Sequence, residues 1–134
     1  MVVKTELDKL KESGKSPEFM TEEGLKTLLS GYLLLGETPR DMYNRLAKTA
    51  ASILRKPELE SEFFQLFWNN WPCPASPVCS NFGTERGLPI SCYGTFVPDS
   101  IDGIFSHYHE VAMLTKNGGG VGIVTGKQIG RAHV

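Results

Sequence analysis

Ile90-Ser91-Cys92-Tyr93-Gly94-Thr95-Phe96-Val97-Pro98-Asp99-Ser100-Ile101-Asp102-Gly103-Ile104 is the stretch on which the fold turns. Ile90 to Val97 reads as a short strand. Asp99 is then placed to cap a helix whose apolar side is Ile101, Ile104, Phe105, Tyr108 and Ala112, with Asp102 at the capping-box position. Lys116 falls in its last turn, where a cation faces the negative helix end, and Gly118 is free to take the left-handed conformation that closes a helix. The order is strand, helix, glycine loop. No partner strand for Ile90–Val97 is legible in the chain, and a lone strand leaves its backbone donors and acceptors unpaired. The sequence therefore predicts a sheet completed from elsewhere, and a chain that is incomplete.

Upstream of that stretch the character is helical. Glu6 to Glu12 reads as a short polar helix broken at Ser13-Gly14, and a second helix is predicted from Thr21 to Leu29. The clearest helix begins at Thr38, a good N-cap, with Pro39 at the first helical position and Asp41 completing a variant capping box. Met42, Tyr43, Leu46, Ala47, Ala50, Ile53 and Leu54 follow at helical spacing and give one broad apolar face. Pro57 closes it and opens another helix carrying Phe63, Phe64 and Phe67, an aromatic stripe that reads as core packing. From Trp71 to Pro89, Pro72, Pro74, Pro77, Gly83, Gly87 and Pro89 predict an ordered loop without a long regular element.

The chain has 134 residues, 40% hydrophobic and 22% charged, which is the composition of one globular domain. A formal net charge of −1 makes no electrostatic case for nucleic acid or an anionic membrane. Met1 to Leu10 lacks an apolar signal core, and the apolar run Tyr32 to Leu35 is far too short to span a bilayer. Three cysteines fit free thiols in a reducing cytoplasm better than a disulfide framework.

Cys73, Cys79 and Cys92 contain no Cys-x-x-Cys pair, and adding His107 and His109 yields no recognised zinc pattern, so no metal site is expected. The two histidines are two apart on a helix, where their side chains diverge, and both read as solvated surface. A dinucleotide fingerprint needs a strand before its glycines and a helix after them. Here a helix precedes Gly118-Gly119-Gly120 and the apolar, β-branched Val121 to Thr125 follows, so that reading fails on context. Three residues without Cβ still let something approach the backbone closely.

Taken as an ordered string, these features become specific. Pro74-Ala75-Ser76-Pro77, Pro89-Ile90-Ser91-Cys92, Pro98-Asp99-Ser100-Ile101-Asp102-Gly103-Ile104 and Lys116-Asn117-Gly118-Gly119-Gly120-Val121-Gly122 resemble the large, catalytic (alpha) subunit of ribonucleotide reductase. Thr38 to Gly126 resembles phage and bacterial class I members throughout, although class II shares these motifs.

The resemblance implies an α/β fold: an amino-terminal helical region, residues 1–71, followed at 72–128 by the first strand and loops of a ten-stranded α/β barrel. In this family a cysteine thiyl radical removes the 3′ hydrogen of a ribonucleotide, the 2′ hydroxyl leaves as water, and a cysteine pair supplies two electrons. Cys92 matches the first cysteine of that pair. Ser76 matches the hydroxyl used on the substrate's phosphates, and Ser91, Gly119 and Gly120 match positions lining the substrate nucleotide. Asp99, Ser100 and Ile101 match the start of the helix at the allosteric specificity site, where a deoxynucleotide or ATP selects the base to be reduced. Cys73 and Cys79 match no catalytic position and read as packing.

The same resemblance implies ribonucleoside diphosphate substrates, electrons from thioredoxin or glutaredoxin, a small (beta) subunit bearing the radical cofactor, a dimer of large subunits and a cytoplasmic location. No nucleic-acid or membrane partner is expected. The thiyl-radical cysteine, its asparagine and glutamate partners, the second redox cysteine and the radical-transfer tyrosines are expected beyond residue 134, so the chain alone is expected to be without turnover. No ATP-cone counterpart precedes Thr38, and the family pattern is lost near Gly126-Lys127. Ile129-Gly130-Arg131-Ala132-His133-Val134 matches the translation of a common short-read sequencing adapter, which predicts that 129–134 is not biological. Two rival readings are a stand-alone nucleotide-binding or interaction module and one half of a naturally split large subunit.

Overall fold

A computed structural model describes residues 4–125. They fall into two compact units, Met1–Pro89 and Ile90–Val134. Residues 72–89 cluster with the helices that precede them. The segment 129–134 and the departure near Gly126 lie outside the described residues.

The first unit is built from capped helices. Helix α1 (Glu6–Glu12) starts where the Thr5 hydroxyl accepts from the Asp8 amide and the Asp8 carboxylate accepts from the Thr5 amide. Helix α2 (Glu22–Thr27) is capped by Thr21 and runs into a widened turn, Leu28–Tyr32, kinked at Gly31. Helix α3 (Pro39–Ile53) has the predicted start: Thr38 Oγ1 accepts from the Asp41 amide at 3.3 Å, and Asp41 accepts from the Thr38 amide at 2.9 Å. Two orphan amides of the first turn are satisfied reciprocally.

Met42, Tyr43, Leu46, Ala47 and Ala51 form the buried face of α3. Ile53 and Leu54, expected on that face, are 65% and 54% exposed. The helix has outrun its neighbours by that point. Pro57–Leu59 makes one 3-10 turn, and α4 (Glu60–Trp68) folds back on α3. Phe64 stacks on Trp68 at 5.3 Å between centroids, and Tyr43 meets Trp68 edge-on at 6.1 Å, so the aromatic stripe packs the core as predicted. A smaller cluster of Leu7, Met20 and Leu25 joins this core through Leu28, which packs against both.

Within the proline-rich segment a short helix, α5 (Ser76–Asn81), replaces part of the expected loop. Pro77 sits in its first turn, where the missing N–H costs nothing. Two arginines fasten the segment to the helices. Arg45 pairs with Glu37 at 2.8 Å and donates to the carbonyls of Cys79 and Phe82. Arg86 donates to the carbonyls of Gly31 and Leu33, each at 3.2 Å.

The second unit is a parallel strand–helix–strand. Strand β1 (Cys92–Val97), helix α6 (Ile101–Lys116) and strand β2 (Gly120–Thr125) follow in order, and α6 packs on both strands. β1 and β2 pair in parallel from Cys92↔Gly120 to Val97↔Thr125. This corrects the expectation of a lone strand: its partner is the apolar run after the glycines, brought back by the helix. The backbone groups of β1 that face β2 are thus paired within the chain. The helix cap is also displaced by one residue from expectation. Ser100 is the N-cap, its Oγ accepting from the Gly103 amide at 3.1 Å, and Asp99 precedes it. Gly118 takes φ +84° after the helix, as predicted.

His107 and Cys73 also depart from their sequence reading. His107 is buried at 4% exposure with neither ring nitrogen hydrogen-bonded, whereas His109 is exposed as expected. Cys79 is buried as expected, but Cys73 is exposed rather than packed.

Candidate functional site

The expected site residues fall in three places. Ser76 opens α5 in the first unit, exposed and flanked by Ala75 and Pro77. The other two groups lie in the second unit, at opposite ends of β1.

At the start of the sheet, Cys92 and Gly120 are register partners, each the first residue of its strand. The Gly120 amide donates to the Ser91 carbonyl at 2.6 Å, and Ser91 Oγ lies 3.9 Å from Cys92 Sγ. Strand pairing thus gathers Ser91, Cys92, Gly119 and Gly120 although they are distant in sequence. The Cys92 thiol is exposed, as exchange with another thiol or disulfide requires.

The three glycines have three different reasons to be glycine. Gly118 needs its positive φ. Gly119 is buried under Tyr93: a Cβ there would stand 2.6 Å from Tyr93 Cε2 and 2.9 Å from the Leu114 carbonyl oxygen. Gly120 is exposed, and its nearest atom to an added Cβ is the Ser91 carbonyl oxygen at 3.4 Å. Gly118 and Gly120 are both exposed, and of the two it is Gly120 that pairs with Cys92. Tyr93, which also donates its hydroxyl to the Ile90 carbonyl at 3.1 Å, was not singled out from sequence. Its alternation in the strand is the one signal that it had.

At the far end of β1, Asp99, Ser100 and Ile101 lead into α6. The length of β1 separates them from Cys92 by roughly 20 Å at the usual rise per residue. Ser100 Oγ is engaged in the cap. Asp99 and Asp102 put carboxylates at the helix start, which oppose a phosphate there and suit sugar hydroxyls as donors.

Two perturbed groups of the first unit, Cys79 and Tyr43, share its core. Burial pushes the Cys79 thiol above its ordinary range, reinforced by the nearby Cys73 and only partly offset by Arg45. Burial likewise raises the Tyr43 phenol to about 12, with Cys79 and Cys73 adding to the shift. Among the described residues no group of three or more His, Cys, Asp or Glu is arranged to hold a metal ion, and no helix is long and apolar enough to cross a membrane.

Helices followed by a parallel strand–helix–strand define an α/β chain in which a cysteine opens the first strand. Residues 18–87 match the family model for the all-alpha domain of ribonucleotide reductase. The chain is 35% identical over 106 residues to the ribonucleoside-diphosphate reductase subunit alpha of Helicobacter pylori, covering 74% of this chain and 14% of that protein. It is 33% identical over 108 residues to the ribonucleoside-diphosphate reductase large subunit of Arabidopsis thaliana, covering 75% and 13%. Among solved structures, the class Id ribonucleotide reductase alpha subunit of Actinobacillus ureae matches with a TM-score of 0.74 at 36% identity, over 79% of this chain and 20% of that one. The chain belongs to the ribonucleotide reductase large-subunit family, and its helices and two-stranded parallel sheet match the N-terminal part of that fold. It spans about a seventh of the length of the curated relatives it matches.

Proposed function

We propose that the chain serves in the reduction of ribonucleoside diphosphates to deoxyribonucleotides, as part of a ribonucleotide reductase alpha subunit. The observation that carries this reading is the register pair Cys92↔Gly120, which sets an exposed thiol beside an open glycine backbone. Cys92 supplies one electron and one proton, a second cysteine outside this chain supplies the other of each, and the two close a disulfide as the substrate's 2′ oxygen leaves as water. Ser91 and Gly120 line the nucleotide; Ser76, in the first unit, carries an exposed hydroxyl of the kind that donates to a phosphate oxygen. Gly119 acts through Tyr93, keeping the glycine turn flat against β1. Asp99, Ser100 and Ile101 receive a regulatory deoxynucleotide or ATP, with Asp99 accepting from the sugar hydroxyls.

The wider assembly belongs to the same proposal: a small subunit bearing the radical cofactor, thioredoxin or glutaredoxin to reset the disulfide, a large-subunit dimer and a cytoplasmic setting. Phe96, Ile123 and Val124 are each at least half exposed on a two-stranded sheet, which favours its continuation by further strands of a barrel. The test is turnover of the complete alpha subunit with its small subunit and a dithiol donor. Cys92→Ser should abolish sustained deoxynucleotide formation while leaving substrate binding intact; unchanged turnover would remove Cys92 from the redox pair.

A further inference from the structure

Two thiols in the first unit converge on one acceptor. Cys73 Sγ lies 4.0 Å from the Pro74 carbonyl oxygen, and Cys79 Sγ lies 3.8 Å from the same atom. The sulfurs are thus no further apart than those two distances end to end. One sits on each side of the Pro74-Ala75-Ser76-Pro77 turn. Their accessibility differs: Cys73 is exposed and Cys79 is 9% exposed, in the core cluster with Tyr43.

We propose that Cys73 and Cys79 form a reversible intramolecular disulfide, an oxidation site distinct from Cys92. Its closure needs a side-chain rotation at Cys73, which solvent exposure leaves free, and an adjustment of the turn to reach disulfide geometry. The oxidant is a small disulfide of the glutathione type. The Cys73 thiolate attacks one sulfur of that molecule, forming a mixed disulfide and releasing one thiolate. Cys79 then attacks the Cys73 sulfur, giving up its proton to solvent, and the second thiolate leaves. Two protein thiols are oxidised, and one small disulfide is reduced to two thiols. Burial is the main reason that the Cys79 thiol is raised, and Cys73 adds to the shift, which accords with their proximity.

The division of labour follows from burial. Cys73 meets the oxidant, and Cys79 resolves the mixed disulfide from inside. The product would close a small ring around Ser76 and hold its turn. The link itself does not depend on the role proposed for Ser76, and a mass readout separates the two.

The test equilibrates the full chain in glutathione redox buffers, quenches by alkylation and maps the cysteine peptides by mass. The expected native result is a Cys73–Cys79 link, formed at about tenfold lower oxidised glutathione than in denaturing urea, because the fold raises the effective concentration of one thiol at the other. Cys79→Ser should stop at a stable mixed disulfide on Cys73. Equal behaviour in buffer and urea would overturn the proposal, as would wild-type chain carrying glutathione on Cys73 with Cys79 still a thiol.

Discussion

Gly119 lies under the ring of Tyr93, with room for no Cβ: the nearest ring carbon would be 2.6 Å away. The chain leaves α6 and enters β2 through this contact, so one aromatic ring fixes where the second strand starts relative to the first.

Gly119→Ala should therefore destabilise the second unit by about 1–3 kcal/mol, the usual cost of overpacking. Gly120→Ala meets nothing closer than 3.4 Å and should leave stability nearly unchanged. Urea denaturation of both variants, followed by Tyr93 fluorescence or amide exchange in β2, separates them. Equal losses would mean that backbone freedom, not the ring, demands glycine here.

Arg45 and Glu37 form a nearly buried pair, with side chains 11% and 8% exposed, and Arg45 also serves the Cys79 and Phe82 carbonyls. Arg45→Met strands the Glu37 carboxylate and two acceptors, and should cost about 3 kcal/mol. Arg45→Lys should rescue little, since a point charge cannot reproduce the fork. The measurement is the urea midpoint; full rescue by lysine would show that charge alone matters.

Asp41 is held below its ordinary value of 3.8, first by the Thr38 hydroxyl and then by the Thr38 amide. A carboxylate with a depressed folded pKa stabilises the fold above its unfolded value and loses that contribution as pH falls through the folded one. The stability gap between wild type and Asp41→Asn should hold at neutral pH and shrink once pH drops below 3.8. Thr38→Ala should cost about 1 kcal/mol at neutral pH as a lost cap. Chemical denaturation across an acid pH series reads both.

Tyr43 has the opposite sense. Its folded pKa is raised from 10.0 to about 12, chiefly by burial, so its contribution is complete below 10.0 and disappears as pH rises through the folded value. Tyr43→Phe should remove that alkaline loss and leave neutral stability little changed. Ultraviolet titration of tyrosinate checks it directly: a tyrosine population ionising only on alkaline unfolding is expected in wild type and absent from the variant.

His107 is buried without a partner for either ring nitrogen. Its replacement by Leu should stabilise the second unit by about 1 kcal/mol, because an unsatisfied polar group is exchanged for an apolar one of similar reach. Thermal melts of the two chains decide it, and a marked loss of stability would show that the imidazole is in fact satisfied.

The sequence by itself determined the helices before Trp71 and the family. Thr38 announces its helix start because capping joins residues three apart and is legible without knowing the fold. The motif string around Cys92 likewise names its relatives in one dimension. Only the tertiary structure decided that Val121–Thr125 is a strand, that His107 faces inward, that Ser76 opens a helix and that Gly119 answers to Tyr93. Each of these depends on contact between segments far apart in the chain. A short apolar run after glycines has no period of its own to mark it as a strand; it becomes one when α6 returns it beside β1 and the two backbones exchange hydrogen bonds.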